Sequence, residues 1–180
     1  EEGGDMQFVP DERVSHGDII DGGNWSVECV YTPGHTSNHV CFQLKEGRIL
    51  FTGDHVMGWS TSIVSPPDGD MEAYMNSLDL LLERDDRVYW PTHGPAVTEP
   101  KEHVAAFIAH RREREEQILK CVDEGVHIIS EMVPKMYQGT PEFMFPAAAR
   151  SVFAAVEYMI KRGVLVSDQD NLMEARLNRN

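Results

Sequence analysis

The sequence changes period near residue 100, and that change limits the folds open to it. Before it, apolar residues alternate in short runs broken by Gly and Pro; after it, they recur at helical spacing. Residues 24–31 (NWSVECVY) place Trp25, Val27, Cys29 and Tyr31 on one face of a half-buried strand. Residues 39–44 (HVCFQL) and 48–53 (RILFTG) read as two further strands, joined by a hairpin through Lys45-Glu46-Gly47 in which Gly47 can take a positive φ. The loop 58–70 (GWSTSIVSPPDGD) is long for a compact domain, a length associated with function. Residues 70–84 predict a helix: Asp70 can cap it, and Met71, Tyr74, Met75, Leu78, Leu81 and Leu82 share a face. Arg87–Trp90 is a short strand running into Pro91-Thr92-His93-Gly94-Pro95. The β-β-β-α-β order suits an α/β or α+β sandwich.

The remainder is helical. Thr98-Glu99-Pro100 starts a helix that runs to about Glu124 and stops at Gly125. A shorter helix at 129–137 carries Pro134, and a third at 146–162 runs from Pro146 to Gly163. Val164–Val166 and Leu172–Leu177 flank a polar turn. Three helices and a ribbon form the layout of a winged-helix domain, which predicts a division into residues 1–100 and 101–180. The charged run RREREEQ is expected to be a solvated face with i,i+4 pairs, and His103, His110 and His127 are expected at the surface.

Charge narrows the partners. The chain has 16 Lys and Arg against 30 Asp and Glu, a formal net charge of −14. Residues 1–100 carry only Arg13, Lys45, Arg48, Arg84 and Arg87 as cations, so nearly all the excess lies there. Such a surface repels polyanions and can concentrate divalent cations, which makes nucleic acid a poor partner without strictly excluding it. Apolar runs are only a few residues long, short of the roughly 20 that span a bilayer, so no membrane partner is expected. Three cysteines, Cys29, Cys41 and Cys121, with no CxxC, favour a reducing cytoplasm over a disulfide framework.

Three segments place a metal-competent side chain where a strand gives way to a loop, each beside glycine: Thr32-Pro33-Gly34-His35-Thr36, Phe51-Thr52-Gly53-Asp54-His55 and Pro91-Thr92-His93-Gly94-Pro95. Two imidazoles and one carboxylate form an N/N/O set suited to Zn²⁺, with Fe or Mn as alternatives. Any one segment could be an ordinary turn. Three of them, 19 and 39 residues apart and each after a strand, are a stronger signal.

In order and spacing these segments resemble the later motifs of the metallo-β-lactamase fold hydrolases, over about residues 14–100. The stretch VMGWSTSIVSPPDGDMEAYMNSL and the tail after AHRREREEQIL resemble most the branch holding glyoxalase-II-like hydrolases and a related mitochondrial endoribonuclease. The resemblance implies the C-terminal half of an αββα sandwich, with a one- or two-metal site at its strand ends. It implies that His35 ligates one metal, Asp54 bridges two, and His93 ligates the other. His39 and His55 are expected to support the ligands by hydrogen bonding or packing, and Trp59, Ser60, Thr61 and Ser62 to wall a substrate pocket.

The family's first motif, HxHxDH, is absent, since no two histidines here are spaced two apart. Three donors cannot fill two metal shells. With the abrupt Glu1-Glu2-Gly3-Gly4-Asp5 start, this predicts part of a longer product, inactive alone and without a catalytic residue of its own. For the complete protein the resemblance implies metal-assisted hydrolysis of a small ester or thioester with two zinc ions. A nuclease of the same fold and a winged-helix binding or assembly module are the alternatives. Strands 24–53 are expected to leave an apolar face uncovered, which a homodimer could cover.

Overall fold

The computed structural model describes residues 7–180. Five strands form one sheet in the order β1-β2-β3-β4-β5: β1 Ile19–Asp21, β2 Ser26–Tyr31, β3 Val40–Leu44, β4 Ile49–Gly53 and β5 Val88–Pro91. Strands β1 to β4 are antiparallel neighbours, and β5 joins β4 in parallel through the crossover helix α1, Met71–Glu83. Because β2 and β4 both run against β3, they run with each other and with β5. Their C-terminal ends therefore meet at one end of the sheet, and the three His and Asp segments leave from there.

Helix α1 begins where Asp70 accepts the Ala73 N–H at 2.8 Å, the cap the sequence predicts. It packs with the start of α2 (Pro100–Asp123) against one sheet face, where Val30, Cys41, Leu50 and Tyr89 meet Tyr74, Leu78, Leu81, Val104 and Phe107. Leu50 and Leu78 are wholly buried, worth roughly 1.5–3 kcal/mol each. The opposite face carries Cys29, Phe42, Phe51 and Trp90 in register across four strands. No helix among the described residues covers it, and Phe51 and Trp90 are 43% and 55% exposed. The alternation of Trp25, Val27, Cys29 and Tyr31 is correct, but it marks this largely bare face, with Trp25 and Tyr31 exposed; the helix-covered face of β2 carries Val30.

The end of α2 joins α3 (Ile129–Met136), α4 (Phe145–Lys161) and the antiparallel ribbon β6 Leu165–Ser167 and β7 Leu177–Arg179 around a second core. Ile118, Met132, Val152, Val156, Met159 and Leu177 lie in it. Helix α2 thus serves both cores. By length and composition Glu142–Lys161 would suffice to cross a bilayer, although its apolar runs are short, and its apolar residues pack into the second core.

Three local expectations need correcting. The sequence signal missed β1, whose three residues are all exposed and too few to show a period. In the β3–β4 turn the left-handed residue is Arg48, at φ 49°, and not Gly47. The chain makes a 3₁₀ turn over Lys45–Gly47, and Arg48 closes it by donating its N–H to the Lys45 carbonyl while its side chain pairs with Asp85. The last strand lies at Leu177–Arg179, after the predicted Leu172–Leu177, and Leu177 donates its N–H to the His127 carbonyl at 3.0 Å.

Candidate metal centre

The three strand-end loops are tied together by backbone. Asp70 donates its N–H to the Gly34 carbonyl at 3.0 Å, Thr92 to Gly53 at 3.2 Å, and Gly58 to His93 at 2.8 Å. Gly34 has φ +133°, and a Cβ there would lie 2.3 Å from the Tyr74 backbone, so α1 can dock on this loop only against glycine. Gly94, at φ +95°, also meets backbone, with a Cβ 2.8 Å from the Gly58 Cα.

These ties bring His35, Asp54 and His93 to one place. His35 Nε2 lies 3.9 Å from Asp54 Oδ2, and His93 Nε2 lies 3.5 Å from Asp54 Oδ1. The carboxylate is therefore flanked by an imidazole on each side. Asp54 Oδ1 is buried and has no hydrogen-bond partner among the described residues. A buried carboxylate oxygen without a partner is costly, and a cation between the two imidazoles would satisfy it. The tautomer of His35 is set as a metal ligand requires. Its Nδ1 faces the Ile63 carbonyl oxygen at 2.6 Å, and because a carbonyl only accepts, Nδ1 carries a proton, which leaves Nε2, on the side of Asp54, as the nitrogen free to ligate.

The donor set fits a metal ion in kind but not in number. His35, Asp54 and His93 supply three donors, and among the described residues no group of three or more His, Cys, Asp or Glu is set to hold an ion unaided. Two ions would need more ligands than these.

The neighbouring residues take distinct places. His39 Nδ1 lies 2.9 Å from Thr32 Oγ1, and burial, with His35 nearby, pushes its pKa down to about 4. His55 is 0% exposed, its ring 4.6 Å from that of Tyr74. Burial, helped by His39, holds its pKa well below the usual value, so it is a neutral core residue. Neither of its nitrogens has a partner among the described residues. Trp59 is 70% exposed and stacks on His93, ring centroids 6.1 Å apart and nearly parallel, so it covers one side of that imidazole. Ser60, Thr61 and Ser62 line a cavity behind the loop rather than the open side of Asp54. Buried Ser62 aims its hydroxyl at the carbonyls of Asp54 and His55, the latter at 2.9 Å, and so braces the turn carrying Asp54.

Two readings of the helical tail are overturned. Its charged run is not wholly solvated: Arg111 is only 7% exposed, lies over the Tyr74 ring and donates to the Ser62 carbonyl. The histidines of the tail are half-buried, His103 bonding the Met57 carbonyl at 2.9 Å and His127 that of Leu177 at 2.7 Å. The signal was present in the spacing. Val104, Phe107, Ile108, Arg111 and Ile118 form one stripe of the helix, and loop 58–70 covers it at Arg111.

The fold thus gathers a His/Asp/His cluster at one end of a sheet backed by helices. A family profile described as the metallo-beta-lactamase superfamily matches residues 2–93, and the chain belongs to that superfamily. The beta-lactamase-like protein 2 homolog of Drosophila melanogaster is 35% identical over 144 residues, 78% of this chain and 47% of that protein. An atrochrysone carboxyl ACP thioesterase of Aspergillus chevalieri is 31% identical over 138 residues, 69% of this chain and 44% of that one. The fold matches a beta-lactamase domain protein from Burkholderia ambifaria with a TM-score of 0.81 at 20% identity, over 96% of this chain and 54% of that chain. The chain spans about half the length of the relatives it matches.

Proposed function

We propose that this chain carries the C-terminal donors of a metal-dependent hydrolase acting on a small ester or thioester. One observation carries the reading: Asp54 Oδ1 is buried between two imidazoles and accepts no hydrogen bond among the described residues, and one of those rings, His35, has its Nδ1 proton turned to a carbonyl. His35, Asp54 and His93 would hold the metal, zinc by donor type and iron by the same set. A bound ion would supply Lewis-acid polarisation of the scissile carbonyl and a more acidic water. The chain's own residues position and shield. The Ile63 carbonyl fixes the His35 tautomer, Ser62 braces the Asp54 turn, and Trp59 covers His93. Further ligands would come from elsewhere in the complete protein.

A thioester is favoured over nucleic acid because the site half carries nearly all of the −14 charge, and the thioesterase name among the relatives points the same way. The test is hydrolysis of acyl thioesters and of RNA by the metal-loaded complete protein. Thioester turnover that is lost on chelation supports the reading; turnover of RNA alone, or of neither, defeats it.

A further inference from the structure

Loop 58–70, α2, α3 and α4 enclose a cavity of about 340 Å³ on the far side of the loop from Asp54. Its charged wall is unusual in an acidic protein. Arg111 and Arg114 both line it, and among the described residues neither is ion-paired. Arg111 spends one nitrogen on the Ser62 carbonyl, while its buried Nε has no hydrogen-bond partner among the described residues. Arg114 donates to Gln117 Oε1 at 2.7 Å and to the Met136 carbonyl at 3.3 Å, and lies 4.5 Å over the Tyr137 ring, so its remaining nitrogens face the cavity without a carboxylate among the described residues. His110, also on the wall, has a buried Nδ1 with no hydrogen-bond partner among the described residues. The acid on the wall, Glu115, is bound to Arg162 at 2.6 Å. A buried guanidinium without a carboxylate is costly unless an anion meets it.

The rest of the wall is apolar, with Ile118, Met136 and Val152 facing the same space. The volume is on the order of ten water-sized volumes at about 30 Å³ each, the size of an eight-carbon acid. We propose that this cavity binds a small organic anion, its carboxylate or phosphate head held by Arg111, Arg114 and His110 and its short chain lying against Ile118, Met136 and Val152. The site is separate from the metal donors but touches their support. Ser62 and Ile63 line the cavity, and the same two residues hold the Asp54 turn and His35 from behind.

The test is calorimetric titration of the full chain in excess EDTA with octanoate, hexyl phosphate, inorganic phosphate and octanol. EDTA removes any anion site on a metal, so the result stands apart from the hydrolase reading. Saturable binding of octanoate or hexyl phosphate, about tenfold or more tighter than inorganic phosphate or octanol, supports the site, and the tighter of the two names the head group. Arg111→Gln should weaken it by a similar factor. Because Arg111 also holds Ser62, the second variant is Ser151→Phe, which fills the cavity from α4 without changing charge and should abolish binding. No saturable binding, equal binding of inorganic phosphate, or binding unchanged by Ser151→Phe would overturn the proposal.

Discussion

His35 Nδ1 lies 2.6 Å from the carbonyl oxygen of Ile63, 28 residues further along the chain, and this bond decides which nitrogen meets Asp54. The loop bearing Ile63 therefore shapes the candidate site from outside the His35, Asp54 and His93 cluster. The same loop is held from behind by Arg111 through Ser62. The strand-end donors, the long loop and α2 form one connected support.

Asp54 serves the site and not the core. It is about one-third exposed, and its buried oxygen accepts no hydrogen bond among the described residues. Asp54→Ala should lower turnover by the complete protein roughly a hundredfold or more, with loss of bound metal. It should change the stability of the metal-free chain by about 0.5 kcal/mol or less. Thioester assays, metal analysis and denaturant melts check this; activity that survives would remove Asp54 from the site.

Ser62 is buried, and its hydroxyl braces the carbonyls on either side of the Asp54 turn. Ser62→Ala should cost about 1 kcal/mol of stability. It should also weaken metal retention about tenfold, the range expected when a ligand's support is removed. Chelator competition reads the second effect. A variant that loses stability but retains metal as tightly as the parent would confine Ser62 to packing.

The strands and helices that carry the site were legible because their signals are local: alternation in β2 to β4, the Asp70 cap and a Gly after each long helix. The donors were legible as residue types following strands. Their convergence follows from β2 and β4 sharing a direction, which is a property of pairing and not of any one segment. What escaped was side-chain placement decided by distant contacts. Arg111 reads as surface charge until loop 58–70 is laid over it, and Trp25 and Tyr31 read as core until the helices are seen to choose the other face. Strand β1, three exposed residues paired at the edge of β2, has no period to read.

Lys161 Nζ reaches Asp70 Oδ2 at 2.7 Å across 91 residues and joins α4 to the first turn of α1. Burial alone would raise the Asp70 carboxyl, but the bonds from Lys161 and the Ala73 N–H outweigh it and hold the pKa below the usual value. A depressed acid stabilises the fold above its unfolded pKa, and that stability is lost as pH falls through the folded one. Asp70→Ala should cost about 1 kcal/mol through the cap. Lys161→Met should cost about 0.5 kcal/mol or less, because the pair is partly exposed and screened. Melts at neutral pH should show both, and Asp70→Ala should flatten the loss of stability in acid below about pH 4.

His39 and His55 are held neutral by burial, His39 with a pKa of about 4 and His55 well below the usual value. Their folded pKa values lie below their unfolded ones, so the unfolded chain binds more protons in the interval between them. Stability is therefore full above about pH 6.5 and declines as pH falls toward 4. The metal-free chain should show this slope in denaturant melts from pH 7 to 4.5, and His55→Leu should reduce it. A parent flat over that range would mean that neither ring is buried neutral.

The aromatic face of the sheet should drive self-association. Phe51 and Trp90 sit on adjacent parallel strands, their rings 6.5 Å apart and edge to face, on the side that no helix among the described residues covers. Exposed apolar surface of this kind is covered by association unless another layer lies over it. Light scattering on the isolated chain should give a mass above 20.4 kDa that falls with dilution. Phe51→Glu, at an exposed position on an already acidic protein, should shift the chain to monomer with its helical circular dichroism intact. A parent that is monomeric at high concentration would show that this face does not drive association.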